Sequence, residues 1–201
     1  QIVLLQRYLE EAGYDAIATR EPGGTPIAEA IREVLLHPGN EAMSPTAELL
    51  LYEAARAQLV HEVIQPALSR GAVVLCDRFA DSTTAYQGAG RELPMEDVLQ
   101  LHRVATGEVW PDLTFLIDLS PEEGLTRARK RGRQDRIEQE SIAFHERVRE
   151  GFLQLAKQAP QRITIIDGAQ SVEAVHAAVR ARVDLLLQRP DTGTSSSADT
   201  L

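Results

Sequence analysis

The chain has 201 residues, of which 43% are apolar and 25% are charged, and its formal net charge is −9. This composition is typical of one globular domain, and no stretch approaches the roughly 20 apolar residues that a membrane-spanning helix needs. The acidic balance argues against non-specific binding to nucleic acid. The lack of a basic and apolar leader argues against secretion, and the single Cys76 suits a reducing cytoplasm.

Short apolar runs alternate with longer amphipathic segments, a pattern that predicts an α/β fold with a mainly parallel sheet. Strands are predicted at Ala16–Thr19, Ala72–Cys76, Leu113–Leu119 and Ile163–Ile166. Helices are predicted at about residues 2–11, 26–36, 46–69, 94–106, 121–131, 141–158 and 172–188. N-cap residues open four of these helices, at Thr25, Ser44, Ser120 and Ser141. Pro66 is expected to kink or end the long third helix.

A turn rich in proline and glycine, TREPGGT, follows the first predicted strand and ends at Thr25. Thr25 can cap the next helix and make its N-terminus favourable for an anion, and Arg32 lies seven residues further on, near the same face. An ordinary tight turn is the alternative interpretation.

Tyr52 and Arg56 are four residues apart on the long predicted helix, so their side chains are neighbours. A flat ring beside a guanidinium group can stack on a nucleobase while the guanidinium bonds the edge of the base. A tyrosine that packs in the core, with an arginine stacked on it, would give the same spacing.

Asp77 and Arg78 directly follow the predicted strand Ala72–Cys76, at the end of a strand where open α/β sheets bind ligands. An aspartate there can hold a Mg²⁺-bound water, and an arginine can bind a phosphate. The next residues, FADSTTAYQGAGR, combine hydroxyl groups with the aromatic Tyr86 and suggest a wall, passing from loop to helix, of a pocket for a base and a sugar. A polar end of a strand and a polar surface loop are the alternatives.

Positive charge is concentrated between Arg127 and Arg136, where five arginines and one lysine face a single acid. The rest of the chain has 15 basic and 29 acidic residues, a formal charge of −14. Arginine is well suited to phosphate oxygens, so the cluster indicates a phosphorylated ligand. A solvated helix face without a function is the alternative.

Four motifs in this order, TREPGGT, LLYEAARAQ, CDRFADSTTAYQG and RARKRGRQDRIEQE, resemble those of bacterial thymidylate kinase. The resemblance covers about residues 1–188 as one domain, with a lid at about 127–139, and leaves a tail at 189–201 that is predicted to be disordered. It implies a three-layer fold with a parallel sheet, of the P-loop nucleoside monophosphate kinase type. It also implies a homodimer and ATP-dependent phosphorylation of dTMP to dTDP, in dTTP biosynthesis.

The resemblance also assigns the residues that bind dTMP. Arg32 and Arg78 would bind its phosphate, and Asp77 would place Mg²⁺ and the acceptor phosphate. Tyr52 would stack on thymine, at a position that is most often Phe in the family. The remaining assignments are Arg56 to the thymine edge, Thr83 to the base and Tyr86 to the deoxyribose.

The arginine-rich segment matches the lid that closes over ATP. The lid arginines that would stabilise the transferring phosphoryl group are Arg129, Arg133 and Arg136, with Arg133 favoured because it follows Gly132, where the helix should end. Arg127, Ala169 and Gln170 would contact ATP, with the adenine bound largely through the backbone of Ala169 and Gln170.

One element of the family is missing from the printed residues. They contain no G-x-x-x-x-G-K-[ST] sequence, the loop that holds the phosphates of ATP. We therefore expect the first strand and the phosphate loop to be absent from this chain, and a polypeptide of these residues alone to have little kinase activity. A different nucleoside monophosphate kinase and a noncatalytic nucleotide-binding or RNA-binding module are the alternative functions.

Overall fold

The computed structural model describes residues 1–107, 109–132 and 134–188, except for the side chain of Arg131. The strands are β1 Ala16–Arg20, β2 Val73–Asp77, β3 Thr114–Asp118 and β4 Ile163–Asp167. The α-helices are α1 Ile2–Glu11, α2 Pro26–Leu36, α3 Pro45–Leu59, α4 Gln65–Ser69, α5 Ala80–Thr83, α6 Met95–Thr106, α7 Pro121–Arg131, α8 Ile142–Gln158 and α9 Val172–Leu187. Two π-helical segments complete the set, at Val60–Ile64 and Thr84–Gly90. The tail predicted to be disordered lies outside the described residues.

The strands pair in parallel, as predicted, in two two-stranded sheets. In the first, β1 pairs with β2, so that Arg20 lies opposite Asp77. In the second, β3 pairs with β4, so that Asp118 lies opposite Asp167. Each pair of strands therefore ends in charged residues at its carboxyl end, where parallel α/β proteins bind ligands.

Side chains alternate between the two faces of a sheet along each strand. Both faces of the β1–β2 sheet therefore carry apolar side chains, and helices cover both. On one face, Val73 and Leu75 pack against α1 and α9. On the other face, Val74 and Cys76 pack against the buried residues at 59–64. This arrangement confirms the predicted layers of helix, sheet and helix. None of the described helices has both the length and the apolar character that crossing a bilayer demands.

The predicted helix starts are confirmed at atomic detail. The side-chain oxygens of four N-cap residues accept a hydrogen bond from the backbone N–H three residues later, at 3.2–3.3 Å; these residues are Thr25, Ser44, Ser120 and Ser141. The expected irregularity near Pro66 is the π-helical segment Val60–Ile64, between α3 and α4. Proline lacks a backbone N–H and its ring crowds the carbonyl four residues earlier, so the preceding turn widens.

The prediction for residues 80–90 was incomplete, because the structure forms a helix there, in α5 and the π-helical segment that follows. Close packing on α8 stabilises this stretch. A Cβ atom added at Gly90 would lie 2.7 Å from the Phe144 ring, and one added at Gly151 would lie 2.7 Å from Ala89. The two glycines thus allow the helices to approach, and the stretch becomes one wall of the cavity described next.

Candidate active site

A cavity of about 300 Å³ opens at the carboxyl ends of β1 and β2. Seven of the residues that the sequence predicts as functional line it together: Arg32, Tyr52, Arg56, Asp77, Arg78, Thr83 and Tyr86. They come from α2, α3, the end of β2 and the helical stretch 80–90, so the cavity is built from segments that are far apart in the chain. The structure thus brings together every residue that was predicted to contact dTMP.

Two of the arginines that line this cavity, Arg20 and Arg32, are held near the turn after β1. Arg32 is half-buried, and its Nη1 donates to the carbonyl of Pro22 at 2.8 Å, which fixes the guanidinium group at the turn after β1. Arg20 also lines the cavity, and its Nη2 bonds Glu29 at 3.1 Å. Asp77 lies opposite Arg20 across the β1–β2 ladder. The combination suits a phosphate group, with a carboxylate beside it.

Arg78 adopts an unusual backbone conformation, with φ at +70°. This region is disfavoured for residues that have a Cβ atom, and such strain is concentrated at functional sites. The guanidinium carbon of Arg78 lies 5.0 Å from the centre of the Tyr86 ring, a cation–π contact. Edge contacts with Phe144 and Phe152 hold that ring at 6.2 and 6.1 Å. Arg78 is therefore directed by its backbone and by an immobilised aromatic ring.

Arg56 is 1% exposed and lies in a network of buried charges. Its Nε and Nη2 donate to the Glu21 carboxylate at 3.0 and 2.7 Å, and its Nη1 donates to Glu53 at 2.6 Å. Nη2 also donates to Thr83 Oγ1 at 2.9 Å. Arginine has five N–H donors, so at most one is left for a ligand. The proton of the Thr83 hydroxyl, in contrast, is free to turn toward an acceptor.

The two carboxylates of this network, Glu21 and Glu53, differ in the direction of their net pKa shift. Burial raises the pKa of Glu21 more than the Arg56 guanidinium lowers it. Burial also raises the pKa of Glu53, but its hydrogen bond to His102 and the charge of Arg56 outweigh that effect and lower the pKa. His102 is completely buried, with Nδ1 2.7 Å from Glu53 and Nε2 3.0 Å from Thr84 Oγ1. The network thus reaches from the β1 turn to α6.

Tyr52 lies on α3 between two buried charged groups, Glu48 one turn before it and Arg56 one turn after it. Burial is the main cause that raises the pKa of its phenol above the ordinary value, and the negative charge of Glu48 raises it further. The ring is therefore neutral throughout the physiological pH range and offers an apolar face to the cavity.

Glu48 is the centre of a second buried cluster. Its Oε1 accepts from Gln87 Nε2 at 2.7 Å, and its Oε2 accepts from Arg91 Nη2 at 2.9 Å. Arg136 Nη2 lies 2.6 Å from the same Oε2. Burial raises the pKa of Glu48, but the hydrogen bonds from Arg91 and Gln87 outweigh it, so the pKa is lowered and the group is ionised.

Asp135, Ile137 and Glu138 of the predicted lid line the cavity, but the described residues that were predicted to contact ATP or the transferring group do not: Arg127, Arg129, Arg136, Ala169 and Gln170. Arg129 is exposed on α7, and Arg133 lies outside the described residues. Arg127 donates to the carbonyl of Gly168 at 3.1 Å, directly before the exposed Ala169 and Gln170. Arg127 thus lies beside the segment that carries Ala169 and Gln170, although it is 41 residues away from Gly168 along the chain.

Arg136 is placed differently from a residue that could swing onto a transferring phosphate. It is 4% exposed, its Nε donates to the carbonyl of Leu35 at 2.8 Å, and its Nη2 pairs with Glu48. In this conformation it ties the segment after α7 to α2 and α3. The cavity is lined on this side by Asp135, Ile137, Glu138 and His145 instead.

Comparison with known proteins shows which proteins this chain is similar to. The family model described as thymidylate kinase matches residues 1–179. Thymidylate kinase of Geobacter sulfurreducens is 54% identical over 195 residues, which cover 94% of this chain and 90% of the relative. Thymidylate kinase of Pseudomonas putida is 54% identical over 181 residues, with 90% and 87% covered.

The chain belongs to the thymidylate kinase family. The crystal structure of thymidylate kinase from Ehrlichia chaffeensis superimposes with a TM-score of 0.72 at 33% identity. This superposition covers 90% of this chain and 88% of that one. The fold class predicted from the motifs is therefore confirmed.

Several cavity residues of this thymidylate kinase family member were missed by sequence reasoning, among them Arg20, Glu21, Gln87, Glu138 and His145. Glu21 and Gln87 lie inside the motifs TREPGGT and TAYQG, so their place in a motif was the available signal. His145 lies in the helix that begins at Ile142, where nothing in the sequence separates it from an ordinary surface position.

Proposed function

We propose that this chain transfers the γ-phosphoryl group of ATP to dTMP, which gives dTDP for dTTP biosynthesis. A single observation carries the proposal: one cavity unites a neutral aromatic face, four arginines, the Asp77 carboxylate and a hydroxyl-bearing wall. These are the groups that a deoxynucleoside monophosphate requires. Membership of the thymidylate kinase family supports thymine as the base.

In the proposed complex, the base stacks on Tyr52, whose ring is neutral and held on α3. Thr83 donates its hydroxyl proton to a base carbonyl, because Arg56 already donates to the oxygen of that hydroxyl at 2.9 Å. Arg56 thus acts on the thymine edge chiefly through Thr83. Tyr86, wedged against Phe144 and Phe152, lies under the deoxyribose and leaves little room for a 2′-hydroxyl.

The acceptor phosphate is proposed to lie between Arg32 and Arg78, which hold it in line for attack on ATP. Asp77, at the end of β2, fits a Mg²⁺ site, because Mg²⁺ is usually bound by one or two carboxylates together with substrate phosphates. When bound, the ion would neutralise charge on the phosphates.

ATP is proposed to bind beside the loop after β4, with its adenine against Ala169 and Gln170 and with Arg127 bonded to Gly168. Arg129 and Arg133 are the proposed lid residues that stabilise the transferring group, since Arg136 is committed to Glu48 and Leu35. Arginine in this role contributes roughly 10³–10⁵ to the rate.

We further propose that the protein acts as a homodimer in the cytoplasm. Large apolar side chains on α2, α3 and α6 are exposed, notably Ile27 at 55%, Leu50 at 50% and Leu99 at 40%. Burial of such groups against a second copy would stabilise an assembly. The free Cys76 thiol suits a reducing compartment.

The decisive experiment measures ADP release with dTMP, dUMP, CMP and AMP as acceptors, side by side. A clear preference for dTMP is expected, whereas a preference for CMP or AMP would contradict the proposal and identify another monophosphate kinase. The printed residues lack the G-x-x-x-x-G-K-[ST] loop. The assay therefore compares residues 1–201 alone with the same residues preceded by a β-strand and that loop. The longer polypeptide is expected to be far more active, and equal turnover would refute the need for the loop.

A further inference from the structure

The wall of the cavity contains an amide that is held in one orientation from behind. Gln87 lines the cavity four residues after Thr83, on the same helical stretch. Its Nε2 donates to Glu48 at 2.7 Å. Glu48 is completely buried and ionised, and a carboxylate can only accept hydrogen bonds. The NH₂ end of Gln87 must therefore face Glu48, and its Oε1 is the end left for the cavity.

The ionised state of Glu48 is itself secured by its neighbours. Arg91 bonds both of its oxygens at 3.1 and 2.9 Å, and Arg136 lies 2.6 Å from Oε2. Two guanidinium groups thus hold a buried carboxylate in its charged form. A flip of the Gln87 amide would place its C=O against that carboxylate, which is repulsive. The Gln87 oxygen would then be buried without a donor.

We propose that Glu48 is a positioning residue for base selection: it fixes Gln87 so that the cavity presents a hydrogen-bond acceptor to the ring nitrogen of a pyrimidine. This inference rests on the proposed function. Thymine and uracil carry an N–H at that ring position beside a carbonyl, and they match an acceptor on Gln87 beside the donor on Thr83. Cytosine has a bare nitrogen beside an amino group and meets the opposite pattern.

The arrangement explains why a residue without access to the ligand should affect specificity. Gln87 alone has no preferred orientation, because an amide offers a donor at one end and an acceptor at the other. A site built to bond a substrate N–H rejects an analogue without it, since the buried group is then left unpaired. The base preference therefore originates one layer behind the cavity wall.

The test measures binding of dTMP and dCMP by titration calorimetry to the wild type and to Glu48→Gln. A glutamine at this position can donate as well as accept, so the Gln87 amide is free to turn. We expect the ratio of dTMP to dCMP affinity to fall at least tenfold. The matched control is Glu140→Gln, which removes the other partner of Arg91, 2.6 Å away, and is expected to keep the wild-type ratio.

Glu48→Gln removes the negative charge that pairs with Arg91 and Arg136, so this variant could fail to fold. A second variant keeps the inference testable in that case. Gln87→Met keeps the shape of the side chain and all contacts of Glu48 with its arginines, but removes the acceptor. It is expected to lower the same ratio at least tenfold. An unchanged ratio in Gln87→Met, or in folded Glu48→Gln, would overturn the inference. A wild type that fails to bind dTMP would instead contradict the proposed function.

Discussion

Glu21 and Arg56 form a bidentate ion pair that is almost wholly removed from solvent, with exposures of 5% and 1%. Both Nε and Nη2 of the arginine donate to the carboxylate, at 3.0 and 2.7 Å. The pair joins the turn after β1 to α3, and the same Nη2 holds the Thr83 hydroxyl. It therefore sets the position of a residue that we assign to the base.

Glu21→Gln tests this pair. Removal of one partner from a buried ion pair leaves a charge with too little compensation, so we expect the free energy of unfolding to fall by about 3 kcal/mol. The affinity for dTMP should also fall, because Thr83 loses its fixed neighbour. Urea unfolding and titration calorimetry measure the two effects.

A surface pair provides the control for this measurement. Asp15 and Arg70 form an exposed ion pair at 2.9 Å, and Asp15→Asn should change the free energy of unfolding by less than about 1 kcal/mol. Equal losses in the two variants would contradict the special role of the buried pair.

The strands and most helices could be predicted because their signals are local. Apolar runs such as VVLC and caps such as Ser120 and Ser141 indicate a strand or a helix start from a few neighbouring residues alone. The helix over residues 80–90 could not, because Gly88 and Gly90 disfavour a helix locally. Packing against Phe144 and Val148, more than 50 residues further along the chain, overrides that preference.

The same distinction holds in the candidate site. Residues that would touch a ligand lie in compact motifs, and Asp77 and Arg78 could be picked out from their place after a strand. The carboxylates behind them could not. Glu48 accepts a hydrogen bond from Gln87, which is 39 residues away along the chain, and Glu53 contacts His102, which is 49 residues away. Glu48 has no sequence feature that separates it from an ordinary surface glutamate of a helix, and Glu53 has only its place in the motif LLYEAARAQ.

Substitution of Tyr52 separates stacking from hydrogen bonding. Tyr52→Phe keeps the ring, so dTMP affinity should stay within about twofold of the wild type. Tyr52→Ala removes the stacking surface, which is worth about 1–3 kcal/mol per base, so affinity should fall about 10- to 100-fold. A large loss in Tyr52→Phe would mean that the phenol bonds the ligand, contrary to our assignment.

Arg78→Ala distinguishes phosphate binding from binding of the nucleoside. Charge-assisted hydrogen bonds contribute about 1.5–3 kcal/mol, so dTMP affinity should fall at least tenfold. Thymidine, which has no phosphate, should bind this variant within about twofold of the wild type. Equal losses for both ligands would show that Arg78 acts by shaping the cavity around Tyr86 rather than by contact with phosphate.

Asp118 predicts a pH dependence of stability. Arg149 Nε and Nη2 donate to its two oxygens at 2.7 Å each, and these bonds hold the pKa of Asp118 below its ordinary value of about 3.9. The unfolded chain therefore binds a proton more readily than the folded one. The stabilisation is present above about pH 4 and is lost as the pH falls below it.

Unfolding in urea at pH 7, 5, 4 and 3 tests this expectation with Asp118→Asn. The wild type should be more stable than the variant at pH 7 and 5, and the difference should shrink between pH 4 and 3. Asp112→Asn, which alters an exposed carboxylate before β3, is the control. A difference between the wild type and Asp118→Asn that is constant with pH would refute the role of the Arg149 contact.

The lid arginines should separate into a structural and a catalytic group. Arg136→Ala removes a buried cation that pairs with Glu48 and bonds Leu35, so we expect the free energy of unfolding to fall by about 3 kcal/mol. Arg129 is exposed on α7, so Arg129→Ala should change stability by no more than about 0.5 kcal/mol. The kcat of Arg129→Ala should nevertheless fall by about 10³ in the polypeptide that carries the phosphate loop, because the arginine charge that would stabilise the transferring phosphoryl group is lost. Urea unfolding and steady-state kinetics on both variants check these outcomes.

Normal kcat in Arg129→Ala would leave Arg133 as the lid residue that stabilises the transferring group. Wild-type stability in Arg136→Ala would contradict the structural role assigned to Arg136.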